Sequence, residues 1–196
     1  MKLIIRKSVT EEQLIKQCRQ GKERAQQAVY EKYADRMMGV CMRYLKDHDA
    51  AQDVLMTAFM KVFERISQFR DEGSFEGWIR RIMVNESLSY LRKHQNMSVE
   101  VNIEKASREP DYQSLADHLV TEDIMKMICS LPVGYRTVFN LYAIEGYSHK
   151  EIAQRLEISE NTSKSQLSRA RSYLQSLLIK AEEVGEEKKM IYESVR

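Results

Sequence analysis

Ser148–Arg171 reads SHKEIAQRLEISENTSKSQLSRAR, and two helices with well-marked starts can be built from it. Ser148 followed three residues later by Glu151 is a capping box, in which a hydroxyl and a carboxylate satisfy the free amides of a helix start. Ile152, Ala153 and Leu156 then share one face at helical spacing. Glu157-Ile158-Ser159 supplies one apolar residue and then a second cap, so the first helix must stop there. Ser159 opens the next helix, with Glu160 in its first turn, where the helix dipole favours an anion. Leu167, Ala170 and Leu174 mark the packed face of this second helix, while Lys164, Ser165, Ser168 and Arg169 fall mainly on the other side. A short helix, a tight turn and a longer helix with a polar, basic face is the helix-turn-helix layout. The alternative is a helical hairpin whose charges are merely solvated; the tight turn and the exposed donors favour DNA binding.

The rest of the chain bounds this reading. Its 196 residues suffice for one or two small domains with their own cores. A hydrophobic content of 43%, with seven glycines and two prolines, indicates a soluble and mostly helical protein. The net charge of +2 excludes a globally basic surface, so nucleic-acid binding must come from local patches. Cys18, Cys41 and Cys129 lack CxxC spacing and read as reduced thiols. The histidines form no metal-ligand cluster, and neither a cofactor nor a metal is expected. With no apolar run of membrane-span length and no signal-peptide core, a cytoplasmic location without membrane insertion is expected.

Along the first domain, Thr10 and Gln13 form another capping box before a helix carrying Leu14, Ile15 and Cys18, ended near Gly21. A long stripe follows from Ala25 to Tyr44. The polar break Lys46-Asp47-His48-Asp49 should end it, with Asp49 capping the next helix. From Ala50 to Ile66, Val54, Leu55, Ala58, Phe59, Val62 and Phe63 make a wide apolar stripe that leaves Asp53, Lys61, Glu64 and Arg65 outside. The Met-rich stretches (Met37, Met38, Met56, Met60) read as pliable core. Gln68–Gly73 is a polar loop, and Ser74 caps the helix FEGWIRRIMVNESLSYLRK. Phe75, Trp78, Ile79, Ile82, Met83, Leu88 and Leu91 supply its packed side. Between Glu76 and Lys93 it carries four basic and two acidic residues, a locally positive balance that ordinary solvation also explains. Asn85 and Ser89, both able to hydrogen-bond bases, add weight to nucleic-acid contact. Trp78 admits two readings, a half-buried core residue, which its spacing favours, or a platform for an unstacked base.

Residues 96–120 change character, with Pro110 and the acids Glu100, Glu104, Glu109, Asp111 and Asp117 and no sustained stripe, so they read as a flexible acidic linker. The second domain begins near Thr121. Ile124, Met125, Met127, Ile128 and Leu131 pack its first helix; Tyr135 to Ile144 form the next, closed by Gly146; the helix-turn-helix follows to residue 178. Residues 179–196 form a charged extension in which Gly185 weakens a continued helix. Solvation of Val184, Met190, Ile191 and Val195 is favoured there over packing on a partner. The expected fold is thus all-α: two small helical domains, 1–95 and 121–178, joined by the linker, the second a helix-turn-helix domain of winged-helix-like type.

The residues Leu131-Pro132, Tyr135-Arg136-Thr137-Val138-Phe139, Glu145-Gly146-Tyr147-Ser148, Glu151-Ile152-Ala153, Asn161-Thr162, Lys164-Ser165 and Arg169-Ala170-Arg171, in this order, closely resemble the promoter-reading domain of bacterial sigma factors of the extracytoplasmic-function (ECF) group. The first domain is similar to its partner domain through Asp53, Phe59, Val62-Phe63, Phe75, Trp78-Ile79, Ile82, Asn85 and Tyr90-Leu91-Arg92-Lys93. The resemblance implies an alternative sigma factor, not an enzyme, whose partners are core RNA polymerase, promoter DNA and, in some settings, an inhibitory anti-sigma factor. It implies polymerase docking through Asp53, Met56, Thr57 and Met60. Recognition and melting of the −10 element would fall to Gln68, Arg70, Trp78, Arg81, Asn85, Ser89 and Arg92. Readout of the −35 element would fall to Asn161, Lys164, Ser165, Ser168, Arg169 and Arg171.

Two positions depart from the family's pattern. Met56-Thr57 stand where a Gln-Glu or Gln-Asp pair is usual after the Asp53 position, which removes a charge. Ser163 stands where valine is usual, and a hydroxyl there should loosen packing by roughly 1 kcal/mol unless it finds a partner. Two rival readings remain at this level. A stand-alone helix-turn-helix regulator leaves the first domain without a role, and a sigma-like adaptor with altered polymerase docking rests on Met56-Thr57 alone.

Overall fold

The computed structural model describes residues 10–94 and 121–194, with side chains described up to residue 180 and from residue 124 in the second segment. The chain divides into two compact units, Met1–His94 and Gln95–Arg196. The expected linker, 96–120, lies outside the described residues, as does Val195, while Val184, Met190 and Ile191 lie beyond the described side chains.

In the first unit four helices follow one another: α1 (Glu11–Arg19), α2 (Glu23–Leu45), α3 (His48–Glu64) and α4 (Phe75–His94), with a 3-10 turn at Ile66–Gln68. The Thr10–Gln13 capping box forms with both of its bonds. The polar break is shorter than expected. Lys46 turns the chain with φ 65°, and Asp47 rather than Asp49 caps α3, accepting from the Ala50 amide at 2.8 Å. The cap falls at Asp47 because its extended backbone places the carboxylate over the amide three residues on. Val29, Tyr33, Met37, Cys41 and Tyr44 of α2 pack with Ala51, Val54, Ala58 and Val62 of α3 and with Ile79, Met83 and Leu91 of α4, all buried. The Met-rich stretches divide: Met37 is buried, but Met56 is 51% and Met60 63% exposed, correcting the expectation of core. The helical period explains the split, since Met56 and Met60 share the outward face of α3, opposite the side that carries the buried Val54, Ala58 and Val62.

The second unit contains α5 (Thr121–Ser130), α6 (Val133–Phe139) continued by a π-turn (Asn140–Ile144), α7 (His149–Leu156) and α8 (Glu160–Ser194). The π-turn adds one residue per turn where a plain helix was expected, and the Glu145 amide reaches the Asn140 carbonyl at 2.9 Å. Leu131, Tyr135 and Ala170 are buried together, with Phe139, Tyr173 and Leu174 against them, and Met127 packs on Leu177. Arg136 is also buried, donating to the Leu131 carbonyl at 2.9 Å and the Cys129 carbonyl at 3.4 Å. Burial lowers its pKa to about 10, so it remains a cation at neutral pH and suits the negative end of α5. The last helix passes through Gly185 to Ser194. One glycine costs about 1 kcal/mol against alanine, and the alanine, glutamates and lysines around it favour helix. Among the described residues there is no strand, so the helix-turn-helix carries no β-wing there.

The described cysteines differ in environment. Burial pushes the Cys41 thiol up to about 11 and raises that of Cys18, whereas Cys129 is only half-buried. Because the thiolate is the reactive species, brief treatment of the native protein with iodoacetamide near neutral pH is expected to label Cys129 first. Peptide mass spectrometry checks this order; faster labelling of Cys41 would contradict the packing of α2.

Candidate nucleic-acid interface

The two helices expected to meet DNA are built on the same plan: each packs one face into its unit's core and leaves a polar face outside. In α4, Phe75, Ile79, Ile82, Met83, Val84, Ser87, Leu88 and Leu91 are buried. At 100° per residue these cover about two thirds of the circumference. The remaining strip holds Trp78, Arg81, Asn85, Ser89 and Arg92, which project within about 80° of one another. Arg81, Asn85, Ser89 and Arg92 are exposed and Trp78 is half-buried. The Ser89 hydroxyl donates to the Asn85 carbonyl at 2.9 Å, which turns its lone pairs outward as acceptors. Trp78 stacks on Phe75 with centroids 5.9 Å apart and an interplanar angle of 14°. It also meets Phe69 at 5.5 Å. Phe69, itself buried, is the anchor of the loop before α4, and the exposed Gln68 and Arg70 flank it on either side. The loop reverses at Asp71 (φ 58°) and Gly73 (φ 104°), and Ser74 caps α4 by accepting from the Gly77 amide. Gln68, Arg70 and the α4 strip thus belong to one unit, joined through Phe69 and Trp78.

In the helix-turn-helix, the Ser148–Glu151 capping box forms, and its hydrogen bonds hold the Glu151 carboxyl below the usual range. Glu157 turns the chain with φ 57°, and the Thr162 amide and hydroxyl meet the Ser159 hydroxyl at 2.9 and 2.8 Å to open α8. On α8, Ser163, Gln166, Leu167 and Ala170 are buried, and Asn161, Lys164, Ser165, Ser168, Arg169 and Arg171 are exposed. Projected at 100° per residue, Asn161, Ser165 and Ser168 lie along the centre of the outer face, while Arg169 and Arg171 sit about 80° to either side. Each arginine has an aromatic neighbour. Arg169 donates to the Tyr135 hydroxyl at 3.4 Å, and Arg171 lies 5.7 Å from the centroid of the Tyr142 ring.

Ser163, where the apolar anchor was missing, has found its partner. Its hydroxyl is fully buried and lies 2.9 Å from His149 Nδ1. His149 in turn stacks on Tyr142 with centroids 4.6 Å apart. A hydrogen bond between α7 and α8 therefore replaces the apolar contact, and the expected loosening is offset. Sequence spacing could not have found this pair, because a histidine at the start of one helix and a serine in the next meet only once the turn is built.

The expected docking helix presents a third outward face. Asp53, Met56, Thr57 and Met60 are all exposed and project within about 100° on α3. The Tyr30 hydroxyl approaches the Met56 sulfur at 3.9 Å, so α2 contributes to the same surface. Among the described residues no group of side chains is arranged to hold a metal ion, and no helix is long and apolar enough to cross a membrane.

If the Ser163–His149 bond joins α7 to α8, Ser163→Ala and His149→Ala should each lower stability by about 1 kcal/mol, with the double variant losing little more than either alone. Thermal unfolding of the four proteins measures this coupling, and simple additivity would show that the pair does not interact.

These surfaces lie on a chain that matches known families along both units. Residues 29–97 match sigma-70 region 2, and residues 121–174 match sigma-70 region 4. The RNA polymerase sigma-H factor of Pseudomonas aeruginosa is 27% identical over 181 residues, covering 86% of this chain and 93% of that protein. The ECF RNA polymerase sigma-E factor of Haemophilus influenzae is 24% identical over 180 residues, covering 86% and 95%. Among solved structures, the sigma factor RpoE of Bartonella quintana, crystallised with the anti-sigma factor NepR, is 26% identical with a TM-score of 0.48, covering 78% of this chain and 95% of that one. With both regions present in order and relatives matched over nearly their full length, the chain belongs to the ECF sigma factors, which direct promoter-specific transcription in bacteria.

Proposed function

We propose that this sigma factor divides promoter recognition between the two outward strips, −35 duplex readout on α8 and −10 recognition with strand opening on α4 and its preceding loop. The observation that supports this division is that each strip lies on the outward face of a helix whose opposite face packs into its unit's core. On α8, Ser165, Ser168 and Asn161 face outward where a helix in the major groove meets base edges and phosphates. Lys164 brings positive charge toward the backbone. Arg169 and Arg171, on the two edges, reach either wall of the groove, and each retains donors beyond its aromatic neighbour.

Strand opening makes a different demand. A base taken out of the stack costs a few kcal/mol, which a surface recovers by binding only the unstacked form. Trp78 offers a partly exposed ring for stacking, worth about 1–3 kcal/mol. Asn85 and the Ser89 oxygen supply base-edge contacts, and Gln68, Arg70, Arg81 and Arg92 hold the displaced strand. Core polymerase docks on the α3 face formed by Asp53, Met56, Thr57 and Met60. Exposed methionines suit such a surface, because an unbranched thioether adapts to its partner's shape. The exposed Met56 and Met60 give this face apolar area beside the Met56-Thr57 position, where similar proteins carry a charged pair. The protein acts in the cytoplasm, where polymerase and chromosome meet. An anti-sigma factor competing for the α3 face is consistent with this arrangement.

Transcription in vitro with core polymerase on a pool of genomic fragments is expected to start at a defined set of sites sharing two spaced elements. Silence on every fragment, with duplex binding retained, would favour the stand-alone regulator. Arg169→Ala should weaken binding to the −35 duplex by roughly tenfold with core affinity unchanged; an equal loss on scrambled duplex would reduce its role to phosphate contact. Asp53→Arg should disrupt capture of core polymerase while leaving duplex binding intact, and unchanged capture would remove the docking assignment from α3.

A further inference from the structure

We infer that Arg19, on α1, is a positioning residue for the −10 surface: it clamps the loop that carries Gln68, Phe69 and Arg70 and thereby fixes the ring of Trp78. The inference rests on the proposed −10 role of that loop. Arg19 lies outside the 29–97 span matched to sigma-70 region 2. Its Nη2 donates to the Phe69 carbonyl at 2.6 Å and pairs with Asp71 Oδ2 at 3.2 Å, and its Nε points at the Ile66 carbonyl at 3.5 Å. One guanidinium therefore meets the loop at three residues spread from its 3-10 start to its left-handed turn.

The geometry of these bonds makes the clamp specific to that loop. The shortest bond is to the carbonyl of Phe69, the residue between the two exposed candidates Gln68 and Arg70, so it fixes the backbone from which both project. The Phe69 ring packs on Phe75 and Trp78, with centroids at 5.1 and 5.5 Å. Backbone placement at Phe69 is thus passed to Trp78 by direct packing. A guanidinium suits this task better than an ammonium, because its fixed fork satisfies a carbonyl and a carboxylate together. Arg19 itself is anchored by a short helix with two buried residues, Ile15 and Cys18. Its 35% side-chain exposure means that the Asp71 pair alone is worth little in water; the charged bond to the less exposed carbonyl is the stronger part.

Trp78 is the chain's single tryptophan, so its fluorescence reports on the loop without any promoter. In the full-length protein, Arg19→Gln should raise acrylamide quenching of Trp78 by about twofold as the loop opens. Asp71→Ala, which leaves the Phe69 bond, should change it less, and Arg19→Lys should fall between Gln and the native residue. In the holoenzyme, Arg19→Gln should weaken binding of single-stranded, non-template oligonucleotides from the mapped −10 elements by roughly tenfold, with −35 duplex and core polymerase affinities unchanged. Native quenching in Arg19→Gln would overturn the clamp. Oligonucleotide binding within about twofold of native, or equal losses for oligonucleotide, duplex and core, would overturn its positioning role. If the native holoenzyme itself ignores these oligonucleotides, the −10 assignment fails, and Trp78 quenching alone decides whether Arg19 holds the loop.

Discussion

A helix whose one face is locked into a core can present its other face in a single direction only, and both surfaces proposed to meet DNA depend on that constraint. In α4 the packing of Phe75, Ile79, Met83 and Leu91 against α2 and α3 leaves no freedom to rotate about the helix axis. The strip from Trp78 to Arg92 is therefore aimed by the core, not by its own chemistry. In α8 the same is done by Leu167, Ala170 and Leu177. Rigid display matters because base-edge contacts discriminate only when donors arrive at fixed positions, and a helix free to roll would trade one register for another.

The departures from family pattern are absorbed locally. Ser163 trades apolar anchoring for a buried hydrogen bond to His149, whose ring also stacks on Tyr142, beside which Arg171 lies. On the α3 face Met56-Thr57 give up a charge, and the exposed Met56 and Met60 supply adaptable apolar area. In both cases the neighbouring residue, not the substituted one, shows how the change is accommodated. Arg136 illustrates the same economy inside the second unit: a buried cation that would be costly alone is held by the carbonyls at the end of α5.

Local order was legible from the residues where the physics is local. The capping boxes at Thr10–Gln13 and Ser148–Glu151, the stop at Glu157 and the apolar stripes of α2, α3 and α4 involve partners within one or two turns, and spacing alone specifies them. The π-turn at Asn140–Ile144 and the passage of α8 through Gly185 were not legible. One extra residue in a turn leaves the apolar pattern nearly unchanged, and a single glycine yields to the summed preference of its neighbours. The exposure of Met56 and Met60 was misjudged because methionine is equally at home in core and surface, so only the face it occupies decides.

The sequence by itself thus determined an all-α chain, a helix-turn-helix, and the identity of a sigma factor, since each rests on ordered motifs whose residues act on near neighbours. Tertiary structure decided which side of each helix is open. It brought Ser163 to His149 and Tyr135 to Arg169, and it set Arg19 against a loop 50 residues further on. Such contacts arise from helix packing angles and loop closure, which no spacing along the chain encodes, and the directions of the side chains proposed to meet DNA are fixed through them.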